Sequence, residues 1–268
     1  MARIVLDGIT FSYEERAPDS AQRDHVVVFV HGLGGSAYSW WAQLAGIAAG
    51  GHRTLAYDQR GAGLSSKPPG PYSVELWAED LGRLLDALEI ERAILVGHSV
   101  GCMIAEHAAV RLGDRVRGLA VLGGALRWRP EAGPVFEQRV ELARAGRMDE
   151  IATAVAHTGL SERCREANPA LHGLFCELIA SNEPRAYADW SAATAAAQMV
   201  EPERVACPTL AFCGELDPVT PPAFAEALAA AIPDARTAVI EGAAHWCQLE
   251  APAAVIDALS HFLADIAT

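Results

Sequence analysis

Two hydrophobic rhythms take turns along this chain: short runs of β-branched and aliphatic residues, and longer stretches whose apolar positions recur every three to four residues. The first rhythm predicts strands and the second amphipathic helices. Arg3–Leu6, Phe11–Glu15 and His25–Val30 read as strands. Asp7-Gly8 supplies a turn, so the first two should pair as a hairpin, and the polar stretch 17–24 closes the second. The run from His25 to Val30 is unbroken by polar residues after its first position, the signature of a strand buried on both faces. A helix over about Trp40–Ala49, a strand at Arg53–Tyr57 and a helix over Ser73–Leu88 follow, the last with Leu76, Trp77, Leu81, Leu84, Leu85 and Leu88 on one face. Ala93–Val96 is then a strand, Val100–Leu112 a helix and Val116–Leu122 a strand. Strands spaced by helices of this length imply right-handed crossovers and a parallel sheet.

From Ala125 to Gln198 the strand rhythm stops. Val135–Ala145, Asp149–Ala156, Leu171–Ile179 and Tyr187–Ala197 all carry helical spacing, which predicts an all-helical insertion. Alternation resumes with a strand at Thr209–Cys213, a helix at Pro222–Ala231, a strand at Thr237–Ile240 and a helix at Ala253–Ala264. The expected organisation is an α/β core, residues 1–124 and 199–268, whose mostly parallel sheet is flanked by helices. Residues 125–198 form a helical cap upon it.

Composition narrows the partners. The chain has 268 residues, 51% of them hydrophobic, enough to bury one large sheet. A formal net charge of −13 repels nucleic acid and anionic membrane surfaces. The insertion is less acidic, with 8 Arg and no Lys against 10 acids, so most of the negative charge sits on the core. Six cysteines occur without a CxxC pair, and the N-terminus lacks a basic start followed by a long apolar run. Reduced thiols and a cytoplasmic location are expected. No apolar run reaches the roughly 20 residues of a membrane span.

Candidate chemistry lies at strand ends. Gly97-His98-Ser99-Val100-Gly101 falls between a strand and a helix. The pentapeptide alone fits a plain glycine-rich turn as well as a nucleophile motif. In this context it forms a sharp elbow that lifts the Ser99 hydroxyl above the sheet, with small flanking residues letting the turn close. A serine hydroxyl needs a neighbouring base. His245 occupies the small-residue loop Glu241-Gly242-Ala243-Ala244-His245 after the last strand, whereas His261 lies inside the final helix. The base in turn needs a carboxylate to fix its tautomer. Asp217 in Gly214-Glu215-Leu216-Asp217-Pro218 is the candidate, held by the turn and Pro218, with Glu215 as the alternative. An oxyanion needs two backbone N–H groups. Val100, after the serine, and Leu33, in the loop His31-Gly32-Leu33-Gly34-Gly35, are the expected donors. There is no HExxH, no Cys/His cluster at ligand spacing and no phosphate loop, so the reaction is expected to use neither metal nor cofactor.

These motifs together resemble the α/β-hydrolase superfamily over essentially the whole chain. His31–Gly34, Asp58-Gln59-Arg60-Gly61-Ala62-Gly63-Leu64-Ser65, the elbow, Gly214–Pro218 and His245 come in that family's order. The resemblance implies an α/β-hydrolase fold, a scaffolding turn at Asp58–Ser65, and a serine hydrolase acting through Ser99, His245 and Asp217. Gly214–Pro221 and the length of the insertion resemble 3-oxoadipate enol-lactonases, which implies hydrolysis of a small ester or lactone through an acyl-enzyme. Cys102 departs from the family, standing where many relatives have glycine. His245-Trp246 is similar to the meta-cleavage-product hydrolases, which cut carbon–carbon bonds, although His98 stands where those carry asparagine. Amide hydrolysis and cofactor-free perhydrolysis use the same groups, and a low-turnover ligand receptor keeps the same fold. Arg127, Trp128 and Trp246 are the expected substrate contacts, with Arg127 and Arg129 suited to a substrate carboxylate. The partner is thus a small molecule, and no pattern specifies an oligomeric state.

Overall fold

Val26–Val30 (β3) lies at the centre of the molecule, and all five of its residues are buried. In the computed structural model, which describes residues 1–18, 25–129 and 131–266, it joins an eight-stranded sheet of order β1-β2-β4-β3-β5-β6-β7-β8. The other strands are β1 (Ala2–Leu6), β2 (Ile9–Arg16), β4 (Arg53–Tyr57), β5 (Ala93–His98), β6 (Val116–Leu122), β7 (Thr209–Gly214) and β8 (Ala235–Ile240). β1 pairs with β2, and β2 with β4, antiparallel; every other pairing is parallel. The expected hairpin and parallel sheet are both present. Most of the polar stretch 17–24 lies outside the described residues.

Period-two alternation sends successive β3 side chains to opposite layers. Val27 and Phe29 face Trp40, Leu44, Ile47, Val255, Leu259 and Phe262, which come from the stretch Ala37–Ala49 and from the last helix. Val26, Val28 and Val30 face the other layer, with Trp77, Leu81, Met103 and Leu228. The helices are α1 (Trp41–Ala49), α2 (Val74–Ala87), α3 (Val100–Leu112), α9 (Pro222–Ala231) and α11 (Pro252–Ile266), with a short α10 at Cys247–Glu250. Ser73 starts α2 by accepting the Leu76 N–H at 3.1 Å, the usual way of satisfying an orphan helix donor. Among the described residues no helix is long and apolar enough to cross a membrane.

Between β6 and β7 lie α4 (Ala132–Arg144), α5 (Met148–Gly159), α6 (Glu162–Ala167), α7 (Pro169–Ala180) and α8 (Pro184–Ala196). Four match the helical spacing of the sequence. The fifth, α6, is six residues long, too short for a periodic signal, and is marked only by its Ser161 cap. α4 packs on α8 and α5 on α7. Backbone and side-chain links fasten these helices to the sheet's loops. The Asn182 amide donates to the Gly34 carbonyl at 3.0 Å, and Trp190 Nε1 donates to the Arg60 carbonyl at 2.9 Å.

The strand order reverses at β3. The chain steps from β3 outward to β4, then crosses back to β5 on the other side. In open α/β sheets the crevice at such a reversal, beyond the carboxyl ends of the strands, is where ligands bind. The loop after β3 and the turn after β5 meet there.

Candidate active site

Ser99 follows β5 directly and precedes the first residue of α3. Its backbone sits at φ 53° and ψ −119°, a conformation that a residue with a side chain rarely adopts and that surrounding structure must enforce. Glycines make the enforcement possible. A Cβ on Gly97 would lie 2.4 Å from the Gly101 carbonyl oxygen, and one on Gly101 would lie 2.2 Å from the Val30 oxygen. The elbow therefore closes only with glycine at both places. A Cβ on Gly32 would fall 3.1 Å from Ser99 Cβ, so the loop after β3 passes directly against the serine.

Ser99, Leu33, Val100 and His245 line one cavity of about 50 Å³, together with Trp128, Phe136, Arg139, Val155, Thr158, Gly159, Val219 and Trp246. Among the described residues no protein acceptor takes the Leu33 or Val100 N–H. Both amides belong to residues that border the cavity beside the serine.

His245 Nδ1 lies 2.7 Å from Asp217 Oδ2, and both side chains are buried. Asp217 is saturated with donors. Its Oδ1 accepts the Val219 N–H at 2.8 Å and the Thr220 N–H at 2.9 Å, and Oδ2 accepts the Thr220 hydroxyl at 2.8 Å. Burial pushes the carboxyl's pKa up, but the His245 imidazole and the Thr220 donors outweigh it and hold the group below the usual carboxylate value. An ionised carboxylate only accepts, so at 2.7 Å the His245 Nδ1 carries the proton and donates it to Asp217. Nε2 is left for the cavity. Room for the imidazole comes from Gly123 after β6, where a Cβ would lie 3.0 Å from His245 Cε1.

The residue preceding the serine does more than fill the turn. His98 is fully buried, and its Nε2 donates to the His245 carbonyl at 2.9 Å. Its ring stands 4.9 Å from the His245 ring and edge-on to Trp246 at 4.6 Å. Burial, and then the nearby His245, push its pKa down to about 3, so it stays neutral at working pH. One rigid imidazole thus spans the elbow and the loop of His245.

Two further links tie that loop to the helices above. The Trp246 N–H donates to the Gly159 carbonyl at the end of α5 at 2.9 Å. The Glu250 carboxylate accepts the Ala244 N–H at 3.0 Å, the Ser161 N–H at 3.1 Å and the Ser161 hydroxyl.

The other sequence candidates divide. Glu215 is exposed and accepts the Gly242 N–H at 2.9 Å, away from the imidazole. His261 is exposed on α11. Asp58 is buried and accepts the Ala37 and Leu64 N–H groups at 2.7 Å each, binding the turn after β4 to the loop after β3. Trp128 lines the cavity while donating its indole N–H to the Thr194 carbonyl at 3.2 Å. Trp246 both packs, against Phe175, and lines the cavity. Arg127 does not line it: it is exposed, as is Arg129, whose guanidinium lies over Phe224. In this linker the inward turn of Trp128 sends both neighbours outward. The cation at the cavity is Arg139 of α4, which sequence reasoning missed. Its signal was the spacing of three from Phe136, which puts both on one helix face. Thr220, Gly123 and Phe136 were missed as well.

Comparison with known proteins agrees with this fold. A family model described as the alpha/beta hydrolase fold matches residues 25–252. A protein of Escherichia coli O81 (strain ED1a) named "Putative carbamate hydrolase RutD" is 28% identical over 245 residues, covering 85% of this chain and 86% of its own. Among solved structures, the enol-lactonase from Burkholderia xenovorans LB400 superposes with a TM-score of 0.88 at 28% identity, over 99% of both chains. A thermophilic esterase from Thermogutta terrifontis, described with malate bound, gives 0.91 at 26% identity over 100% of both.

Proposed function

Since this chain belongs to the α/β-hydrolase fold family and is a hydrolase, we propose that it cleaves a small carboxylic ester or lactone through an acyl-enzyme on Ser99. The observation that carries this reading is His245, which lines the same small cavity as Ser99 and is held from behind by Asp217 at 2.7 Å. Asp217 keeps the proton of His245 on Nδ1, so Nε2 takes the Ser99 proton as the oxygen attacks the substrate carbonyl. The Leu33 and Val100 N–H groups stabilise the oxyanion. The imidazolium then protonates the leaving alcohol or enol, and water repeats the sequence to free the acid. Residues 125–198 act as the cap that shapes the pocket through Trp128, Phe136, Val155 and Thr158. The cavity's small size favours a short acyl group, and the enol-lactonase and esterase among the similar structures favour an oxygen leaving group.

The RutD relatives support a second reading, cleavage of a carbamate, which uses the same attack and oxyanion. One panel decides between them: short 4-nitrophenyl esters, enol-lactones, alkyl carbamates, amides and ring-cleavage dienones, each with the wild type and Ser99→Ala. The expected result is turnover of esters or lactones that falls by about 10⁴–10⁶ in kcat in the variant. Turnover of every class unchanged by Ser99→Ala refutes the assignment of the nucleophile, and a carbamate preferred over all esters selects the second reading.

A further inference from the structure

Among the described residues, Arg139 is the one formally charged side chain to line the Ser99 cavity, and no acidic residue lines it. Its guanidinium packs 5.8 Å from the Phe136 ring centroid. Within the described residues it makes no ion pair or hydrogen bond. The reason lies in the sequence of α4: the positions three and four residues away are Phe136, Val135, Leu142 and Ala143, none of them acidic. Its positive charge reaches inward far enough to act on the buried Tyr187 hydroxyl, whose pKa burial raises and Arg139 lowers. The five N–H donors of this cavity-lining side chain therefore have no protein acceptor among the described residues.

We propose that Arg139 is a specificity-determining residue that binds a carboxylate on the substrate, so the natural substrate is an anionic ester or lactone rather than a neutral one. The inference rests on the reading of Ser99 as the nucleophile of this same cavity. A chain of formal charge −13 repels anions in general. A lone cation in an apolar pocket reverses that sign locally, and low polarity around it strengthens its attraction for a carboxylate. A planar guanidinium also offers two parallel donors, matched to the two oxygens of a carboxylate. The rest of the lining is apolar or aromatic, apart from Ser99, His245 and Thr158, and so suits a short hydrocarbon linker between carboxylate and scissile carbonyl.

The test compares three esters, each against its own wild-type rate: 4-nitrophenyl butyrate, 4-nitrophenyl hemisuccinate with its anion on the acyl side, and butyryl glycolate with its anion on the alcohol side. Arg139→Met and Arg139→Lys are measured beside the wild type. Arg139→Met is expected to lower kcat/KM for one of the anionic esters by about 10–100-fold, chiefly through KM, and for the butyrate ester by less than about threefold. Arg139→Lys should recover part of the loss, which a merely structural defect would not allow. Equal losses on charged and neutral esters, or no loss on either anionic ester, overturn the proposal. Calorimetric titration of monomethyl succinate into Ser99→Ala and into Ser99→Ala/Arg139→Met separates the two readings. If the wild type turns over no ester, the ester and lactone reading fails, yet Arg139-dependent binding still supports the subsite and equal binding by both proteins still refutes it.

Discussion

Asparagine in place of Asp217 should disable the enzyme without unfolding it, and the structure dictates how. The two atoms of the new amide are not interchangeable. Oδ1 of Asp217 accepts the Val219 and Thr220 N–H groups at 2.8 and 2.9 Å, and backbone donors cannot be turned round. The amide oxygen must stay there, which places the NH₂ group where Oδ2 now meets His245 Nδ1 at 2.7 Å. That NH₂ donates to Nδ1, so the imidazole proton moves to Nε2, the nitrogen that has to receive the Ser99 proton. The variant also removes the negative charge that stabilises the imidazolium. Where the same tautomer is enforced in a serine hydrolase the cost is about 10⁴ in kcat, or about 5 kcal/mol of barrier. The Thr220 hydroxyl can rotate to accept from the new NH₂, so thermal stability should change little. The assay is steady-state kcat on 4-nitrophenyl butyrate, with melting by circular dichroism and the ¹⁵N shifts of the His245 ring as tautomer readout. A folded Asp217→Asn protein within tenfold of wild-type kcat refutes the reasoning.

His98→Leu removes the donor from the His245 carbonyl and should lower kcat by about 5–100-fold with little change in KM, while His98→Gln, whose amide reaches the Nε2 position, should restore most of it. Loss of melting temperature alone, with kcat intact, would show that His98 only packs. Glu106 on α3 is buried, and burial raises its pKa from 4.5 to about 8. Between those values the unfolded chain has lost this proton and the folded one has kept it, so stability falls by about 1.4 kcal/mol per pH unit as pH rises, and levels off above about 8. Glu106→Met should remove that slope in urea unfolding from pH 5 to 8; the repacking offset is independent of pH and cancels. Parallel stability curves for the two proteins would rule this out.

Much of the fold is legible because each strand carries its burial in its sequence. Arg53–Tyr57, Val116–Leu122, Val100–Leu112 and Pro222–Ala231 begin and end where their residue patterns predict. Steep changes of composition mark those ends: a β-branched run meeting glycines, or a proline at a helix start. The site was half legible. Ser99, Asp217 and His245 stand in short motifs at strand ends, and a parallel sheet brings such ends to one rim. The turn expected to hold Asp217 does so through donors the sequence reading did not name, the Val219 and Thr220 N–H groups and the Thr220 hydroxyl. The pocket walls were hardest to read. In the alanine-rich helices between β6 and β7, small residues pack almost equally well on any face, so periodicity does not say which side turns inward. Arg127 drew notice by adjacency to Trp128, yet successive residues of this non-helical linker diverge, whereas Arg139 shares a helix face with Phe136.

The seam between Glu250, Ser161 and Ala244, together with the Trp246–Gly159 backbone bond, makes the histidine loop and the α5–α6 corner move as one piece. Lifting that corner to admit a molecule would pull the imidazole out of line with the serine. An opening that keeps the chemistry aligned therefore falls to the opposite wall, formed by Trp128 and by Phe136 and Arg139 of α4.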